Sequence, residues 1–305
     1  MNSLKDAEQF VLDIPDVETV LIAGPTTSGK SSFALHLAER LNGVVINTDS
    51  MQVYHDLSVL SARPSEEEMK GIPHWLYGHV NGAVNYSVGQ FVQDAERKLT
   101  EAQKNNLLPI FVGGTGLYFK ALLEGLSPVP EVPDAIRESV RQWTDGKETR
   151  ELYNEILCVD PKTAERLKSN DRLRIMRALE VYHATGRSLV DFHLYRDIGV
   201  LHGKKICKFF LSPEREATRK KIDARFLAML SGGAIDEVRI LEQRQLDPLF
   251  PVMRAHGVPG LIAYLRGQMS LENAILKGQG DTRRYAKRQM TWARHQMRDW
   301  IWVYK

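Results

Sequence analysis

The chain has 305 residues, of which 43% are hydrophobic and 26% charged, with a formal net charge of +3 and a sequence pI near 8.7. This is the composition of an ordinary globular protein, and its apolar runs are too short to predict a membrane span. The first sixteen residues include acidic side chains and lack a long apolar stretch, so we expect no signal peptide. Cys158 and Cys207 lie far apart, and we expect two reduced thiols in a cytoplasmic, monomeric protein.

Short apolar runs alternate with helical patterns in the first part of the chain. Residues 19–23, 44–47 and 107–112 are rich in β-branched or apolar side chains and predict buried parallel strands. Residues 30–41 repeat apolar side chains at helical spacing between the first two runs. The alternation predicts an α/β fold, a mostly parallel sheet flanked by helices, with its active site beyond the carboxyl ends of the strands.

The pattern changes at a proline-rich connector, residues 127–133. Residues 134–186 are charged and helical in period, so we predict a small all-helical insertion domain over 127–195 within a core of 1–126 and 196–305. Residues 205–211 predict a strand that returns to the main sheet. Further helices are predicted around 214–230, 234–241 and 282–300.

The first strand runs into a glycine-rich loop, Gly24-Pro-Thr-Thr-Ser-Gly-Lys-Ser31, which fits G-x-x-x-x-G-K-[ST] at every fixed position. In such a P-loop the backbone N–H groups and the following helix N-terminus bind phosphate oxygens. Lys30 would add a positive charge, and Ser31 would place a hydroxyl on Mg²⁺. All eight residues, Gly24, Pro25, Thr26, Thr27, Ser28, Gly29, Lys30 and Ser31, are therefore predicted to bind a di- or triphosphate.

Asp49 follows the second strand, which we expect to lie next to the P-loop strand. A carboxylate in this place can face the bound phosphates, where it either helps to hold the hydrated magnesium ion or accepts a proton. The alternative is that Asp49 caps the N-terminus of a helix. The spacing alone leaves both interpretations open.

Three motifs in this order resemble the tRNA dimethylallyltransferase family, also called tRNA isopentenyltransferases. They are the P-loop, Asn47-Thr-Asp-Ser-Met-Gln-Val-Tyr54 and Gly113-Gly-Thr-Gly-Leu-Tyr118. Further similarity extends to the C-terminus, with Asp171-Arg-Leu-Arg-Ile-Met-Arg-Ala-Leu-Glu180, the pair Arg225-Phe226 and Tyr285-Ala-Lys-Arg-Gln-Met-Thr-Trp292. The resemblance implies a P-loop NTPase-like core.

The family resemblance also implies the reaction: transfer of a dimethylallyl group from its diphosphate to the adenosine 3′ of the anticodon, with Mg²⁺. By the same resemblance Asp49 is the general base, Arg225 lies near the diphosphate and Thr115 meets the target nucleotide. The residues predicted to contact the tRNA anticodon stem-loop are Asp49, Ser50, Met51, Gln52, Thr115, Arg172, Arg174, Arg177, Arg254, Arg284, Lys287 and Arg288.

Basic residues are concentrated near the C-terminus, where residues 281–305 contain seven basic and two acidic side chains. Arg284, Lys287 and Arg288 have the spacing of one helix face, which suits a polyanionic partner. Tyr285 and Trp292 can stack on bases or belong to the core.

Two positions differ from the family pattern. Val258 replaces a more usual tyrosine, and Trp75 follows His74 where a second histidine is common. We expect His74 to be structural.

Three alternatives share part of these motifs. A small-molecule kinase would use the same P-loop with arginines that clamp the transferred phosphoryl group. An adenylate isopentenyltransferase would prenylate free AMP, ADP or ATP, and would need no basic C-terminal helix. An RNA-binding protein with a degenerate nucleotide site would not need Lys30, Ser31 and Asp49.

Overall fold

A six-stranded, fully parallel sheet forms the centre of the larger part of the protein. The computed structural model describes residues 3–304. In chain order the strands are β1 (Thr19–Ala23), β2 (Gly43–Asn47), β3 (His74–Trp75), β4 (Leu108–Gly113), β5 (Ile206–Ser212) and β6 (Ile301–Tyr304). Their order across the sheet is β3-β2-β4-β1-β5-β6. The predicted α/β class is confirmed.

The four strands expected from apolar runs are all present, and β1 and β2 are buried along their whole length. The edge strands β3 and β6 were not predicted. They contain two and four residues and are partly exposed, so neither produces a long apolar run. His74 belongs to β3, where its ring Nδ1 lies 2.8 Å from the carbonyl oxygen of Ile72.

The prediction that β2 lies next to β1 is wrong, because β4 pairs with both and separates them. The loops after β2 and β4 are nevertheless joined directly. Thr48 N–H donates to Val112 O at 2.8 Å, and Thr115 N–H donates to Thr48 O at 3.2 Å. A Cβ at Gly113 would lie 2.2 Å from the Thr48 carbonyl carbon, so this contact requires glycine. The segment that carries Asp49 is therefore attached to β4 rather than to the P-loop strand.

Helices cover the sheet. Those that lie wholly or mostly in the larger unit are α1 (Leu4–Asp13), α2 (Lys30–Arg40), α3 (Glu66–Met69), α4 (Val88–Lys104), α5 (Gly116–Glu124), α11 (Arg215–Ser231), α12 (Ala234–Gln243), α13 (Val258–Leu265) and α14 (Leu271–Gln296). One apolar core joins α1 and α2 to β1, β4 and β5. A second joins α12, α13 and the start of α14 to residues 53–60.

The last helix is longer than predicted. It begins at Leu271, where the Ser270 side chain accepts from Asn273 N–H, and it ends at Gln296. The predicted limits, 282 and 300, missed the first three turns because Gly278 and Gly280 lower helix propensity there. Gly278 has a packing reason: a Cβ at this position would lie 2.2 Å from Cζ of Phe226.

The chain divides into two compact units, Met1–Leu122 with Val200–Lys305 and Leu123–Gly199. The second unit contains α6 (Asp134–Thr144), α7 (Thr149–Val159), α8 (Pro161–Ala164), α9 (Arg172–Thr185) and α10 (Leu189–Phe192), with no strand. Its core is formed by α6, α7 and α9. The sequence placed the limits of a helical insertion at 127 and 195. Within residues 3–304, no helix is long and apolar enough to cross a membrane.

Candidate active site

A cavity of about 120 Å³ lies at the carboxyl ends of β1 and β2, in the larger unit. Part of its lining is polar and comes from the P-loop, from the loop after β2 and from α11: Thr26, Thr27, Lys30, Ser31, Asp49 and Arg225. Another part is apolar: Leu60, Ile222, Phe226, Met229 and Ala255. The cavity therefore combines an anion-binding surface with room for a small hydrocarbon group.

The P-loop has the conformation that its glycines predict. Gly29 has φ +81°, and α2 begins directly after it at Lys30. Thr27 has φ +64°, a conformation that a β-branched residue rarely adopts. Its hydroxyl oxygen is buried and has no hydrogen-bond partner among the described residues. Strain and an unpartnered hydroxyl in a loop of this kind both indicate a ligand that hydrogen bonds there.

Lys30 extends into the cavity, and its ammonium group donates to the carbonyl oxygen of Pro25 at 3.2 Å. Burial lowers the pKa of Lys30 to about 8, an effect that nearby Asp49 opposes and Arg225 reinforces. The site thus holds two cations near one carboxylate. A bound anion would stabilise the protonated lysine.

Arg225 is supplied by α11, almost 200 residues after the P-loop, and its Nη1 lies 3.4 Å from the Thr26 hydroxyl oxygen, to which it donates. Burial lowers the pKa of its guanidinium, while Glu68 and Asp49 oppose that shift. The resemblance placed Arg225 near a diphosphate, and the fold brings it to the P-loop. Lys30 and Arg225 can therefore contact the same anion.

Asp49 is held by a network within its own loop. Its Oδ1 accepts from Met51 N–H at 2.9 Å, and its backbone N–H donates to Asn47 Oδ1 at 2.8 Å. No helix follows, so the alternative that Asp49 caps a helix is wrong. Asn47 is buried and also donates to Leu76 O and to Asp49 O. These bonds orient the carboxylate toward the cavity that Lys30 and Ser31 share.

Thr115 lies behind this loop rather than in the cavity lining. Its hydroxyl oxygen accepts from Ser50 N–H at 3.0 Å and lies 3.3 Å from the Ser50 hydroxyl. Tyr285, which does line the cavity, is also hydrogen-bonded to the Thr115 side chain. Burial raises the pKa of the Tyr285 phenol, and this hydrogen bond partly opposes the shift. Thr115 therefore connects the Asp49 loop to α14.

Gln289 is a site residue that the sequence reasoning missed. Its side-chain oxygen accepts from Thr26 N–H at 3.2 Å, and its amide nitrogen donates to Gly114 O at 2.9 Å. One side chain of α14 thus joins the P-loop to the glycine loop after β4. Because Thr26 N–H is engaged in this bond, it is not directed at a phosphate. The sequence feature that could have indicated a role for Gln289 was its position within the motif from Tyr285 to Trp292.

Glu237 was also missed. Its carboxylate accepts from the backbone N–H groups of residues 58, 59 and 60 and from the Ser58 hydroxyl. The next residues of that loop line the cavity, and Gln52 donates to the carbonyl oxygens of Ser61 and Ala62. One carboxylate on α12 and one amide on the Asp49 segment therefore shape this wall together.

The two aromatic candidates on α14 have different positions. Tyr285 borders the cavity, and its ring centroid lies 5.0 Å from that of His256. Trp292 packs against the glycine loop, where a Cβ at Gly116 would lie 2.2 Å from its ring nitrogen. That tryptophan therefore has a packing role, while Tyr285 is placed to meet a ligand.

The basic residues predicted for tRNA lie largely at the surface. Arg284, Lys287 and Arg288 are exposed along α14, as their spacing predicts, and Arg254 is exposed near the cavity residue His256. Met51 and Gln52 line the cavity beside Asp49.

In the smaller unit the three predicted arginines differ. Arg172 is half-buried, and its guanidinium donates to Lys147 O at 2.7 Å and to Thr144 O at 2.5 Å. Arg174 is exposed and pairs with Asp171, the N-cap of α9, while the partly exposed Arg177 pairs with Glu180 on the same helix. The bonds of Arg172 connect α9 to the turn after α6. Its contact with tRNA stays a prediction.

Comparisons with known proteins extend this description. The family model described as IPP transferase matches residues 52–296, and the model described as isopentenyl transferase matches residues 17–84. The chain is 59% identical over 285 residues to a tRNA dimethylallyltransferase of Methylobacterium nodulans, covering 93% of this chain and 94% of the relative. This chain belongs to the tRNA dimethylallyltransferase family. A Bradyrhizobium relative of the same name is 54% identical over 290 residues, 95% of this chain and 94% of the relative.

Solved structures of this tRNA dimethylallyltransferase family have the same fold. The full-length tRNA isopentenylpyrophosphate transferase of Bacillus halodurans is 32% identical, with a TM-score of 0.67, covering 94% of this chain and 90% of that one. A eukaryotic dimethylallyltransferase acting on tRNA has a TM-score of 0.76 at 28% identity, covering 91% of this chain and 70% of that one. The predicted P-loop NTPase-like core is thereby confirmed.

One departure from the tRNA dimethylallyltransferase pattern can now be located. Val258, where the resemblance leads us to expect a tyrosine, is fully buried at the start of α13 and belongs to the second apolar core. The surroundings of Val258 are apolar, so a tyrosine hydroxyl buried here would need a hydrogen-bond partner. In this member of the family, the aromatic pair His256 and Tyr285 borders the cavity nearby.

Proposed function

We propose that this protein transfers the dimethylallyl group of dimethylallyl diphosphate to the N6 amine of the adenosine adjacent to the 3′ side of the tRNA anticodon. The observation that carries the proposal is the shared cavity. Asp49 lies in one pocket with the P-loop side chains Lys30 and Ser31 and with Arg225 from α11. A base and a diphosphate-binding surface are thus close enough to act on one pair of substrates.

The chemistry follows from these charges. The allylic C–O bond breaks and the diphosphate leaves with the electron pair, while the adenine amine forms the new C–N bond. Its proton passes to the Asp49 carboxylate. Lys30 and Arg225 stabilise the negative charge that develops on the leaving diphosphate. A P-loop can serve prenyl transfer because the diphosphate is here the leaving group.

The residues also fit a magnesium ion bound together with the diphosphate. Ser31 and Asp49 supply oxygen atoms to one cavity, and oxygen ligands are those that Mg²⁺ prefers. Within residues 3–304 no cluster of three or more His, Cys, Asp or Glu side chains forms a metal cage. We propose that the Ser31 hydroxyl and the diphosphate hold the ion, which would neutralise charge on the leaving group.

The exposed face of α14 is the proposed tRNA surface. Arg284, Lys287 and Arg288 face solvent on the helix that also supplies Tyr285 to the cavity. Phosphate contacts from this face would position the anticodon loop. The target adenosine must leave its stack to reach Asp49, at a cost of a few kcal/mol that is smaller for an unpaired loop base.

The test is a transfer assay with labelled dimethylallyl diphosphate, Mg²⁺ and unmodified tRNA that carries adenosine 3′ of the anticodon. Parallel reactions contain AMP in place of tRNA, or ATP alone. We expect label in the tRNA. Label in AMP alone would favour an adenylate isopentenyltransferase, and ATP consumption without any transfer would favour a kinase.

The role of Asp49 is tested with Asp49→Asn, which preserves the shape of the side chain and the acceptor for Met51 N–H. Loss of the base should reduce transfer by a factor of about 10²–10⁴ and leave tRNA binding nearly unchanged. Asp236→Asn is the matched control, because Asp236 is exposed, does not line the cavity and pairs with its helix neighbour Arg239. Near-normal transfer by Asp49→Asn would remove Asp49 as the base.

A further inference from the structure

The apolar part of the cavity is closed by one aromatic ring with glycine behind it. Phe226 follows Arg225 on α11, lines the cavity and is 4% exposed. A Cβ on Gly278 of α14 would lie 2.2 Å from Cζ of this ring, and one on Gly257 would lie 3.0 Å from its Cε2. The outer edge of the ring therefore contacts backbone, with no side chain of these two residues between.

The neighbours of Phe226 extend the same apolar surface. A Cβ on Gly257 would also lie 3.1 Å from Leu60 Cδ2, so Leu60 and Phe226 meet at this glycine. Leu60 and Met229 pack against the core that contains Ala255. All four side chains line the cavity. Together with Ile222, they give a hydrocarbon group whose diphosphate is bound by Lys30 and Arg225 an apolar surface to pack against.

We propose that Phe226 sets the length limit of the prenyl donor, and that the space filled by its ring is the space a longer tail would need. The proposal rests on the proposed function, which makes dimethylallyl diphosphate the donor. Because Arg225 and Phe226 are consecutive on one helix, the position of the diphosphate relative to the ring is constrained by a single rigid element.

Truncation should lengthen the cavity rather than collapse it. The two positions behind the ring are glycines, whose backbones are held in α14 and in the turn before α13, so Phe226→Ala leaves a void continuous with the cavity. Buried voids of this kind close only partly, and they bind apolar groups. The tail of geranyl diphosphate, with one more isoprene unit, can occupy the new space.

The experiment compares kcat/KM for dimethylallyl and geranyl diphosphate, with tRNA as acceptor, in the wild type, Phe226→Leu and Phe226→Ala. We expect the wild type to prefer the five-carbon donor. The ratio of geranyl to dimethylallyl transfer should rise at least about tenfold in Phe226→Ala and less in Phe226→Leu. Binding of inorganic pyrophosphate should stay within about twofold, because the P-loop side is unchanged.

A second variant acts on the ring from behind. In Gly278→Ala the new Cβ overlaps the ring edge, so the ring must move toward the cavity, and the KM for dimethylallyl diphosphate should rise. Combining Gly278→Ala with Phe226→Ala places a methyl group in the void. The double variant should therefore lose part of the geranyl transfer gained by Phe226→Ala alone.

The outcomes separate the two proposals. Wild-type protein that transfers neither donor to tRNA refutes the proposed function. Wild-type transfer of the five-carbon group, with an unchanged donor ratio in a Phe226→Ala protein that still binds pyrophosphate, refutes the length limit alone. If Phe226→Ala does not fold, the smaller Phe226→Leu change and Gly278→Ala still decide the question. An unchanged donor ratio in Phe226→Leu, together with an unchanged KM for dimethylallyl diphosphate in Gly278→Ala, overturns the proposal.

Discussion

Gln289 joins two loops of the active site, and replacing it by leucine should weaken both the fold and diphosphate binding. The side chain is 8% exposed, accepts from Thr26 N–H and donates to Gly114 O. Gln289→Leu removes the side-chain partner of both backbone groups. Each unsatisfied group costs about 1–3 kcal/mol, so we expect a loss of about 2–4 kcal/mol after the apolar gain of leucine.

That loss is a large fraction of a typical stability of about 5–15 kcal/mol, but it leaves most of the protein folded. Urea denaturation followed by circular dichroism should show a lower midpoint at an unchanged slope. Pyrophosphate affinity should fall in parallel, because Thr26 belongs to the P-loop. Gln296→Leu is the matched control: it lies on the same helix and makes one exposed bond, with Lys120.

Gln289→Glu distinguishes the bridge from simple packing. A carboxylate can still accept from Thr26 N–H, but it places a second oxygen against Gly114 O. The protonated carboxyl can donate to that carbonyl, so folding should raise the pKa of the introduced carboxyl. The free energy of unfolding of the Gln289→Glu variant should therefore be higher at low pH and fall as the pH rises. If Gln289→Leu shifts the midpoint no more than Gln296→Leu and leaves pyrophosphate affinity unchanged, the bridge contributes nothing.

Two further predictions concern the charges around the cavity. Because burial lowers the pKa of Lys30 to about 8, its amine loses its proton above that value, and pyrophosphate affinity should fall about tenfold per further pH unit. Lys30→Arg stays protonated and corrects for the titration of pyrophosphate itself; an equal slope in both proteins would exclude Lys30 as the cause. Replacing Arg284 and Arg288 by alanine should weaken tRNA binding and flatten its dependence on salt by about one unit per lost phosphate contact. An unchanged slope in fluorescence-anisotropy titrations, as expected for the control Arg239→Ala, would mean that this face does not contact tRNA.

Much of the core could be predicted from the sequence because its determinants are local. The strand–loop–helix around Lys30 needs a buried apolar run, glycines and a helical period, all of which are contiguous. The helical character of the smaller unit follows in the same way from the apolar spacing in α7 and α9. The Asp49 segment was found through its motif, and its turn then proved to be held by Asn47.

The errors fall where structure depends on distant residues. The start of α14 was missed because Gly278 and Gly280 look like helix breakers, and only the ring of Phe226 against Gly278 explains the first of them. The place of β4 between β1 and β2 was also missed. Strand order depends on which edges pair in space, and apolar runs of similar composition do not encode it.

The sequence by itself determined the candidate residues for the proposed chemistry: a lysine and a hydroxyl in a phosphate loop, a carboxylate after a strand, and a basic helix. Tertiary structure decided which of them meet. Arg225 reaches the P-loop, Gln289 ties that loop to the glycine loop after β4, and Arg172 is engaged by backbone carbonyls. The physical reason is that propensity and periodicity act over a few residues. Hydrogen bonds and packing between distant segments exist only once the chain has folded.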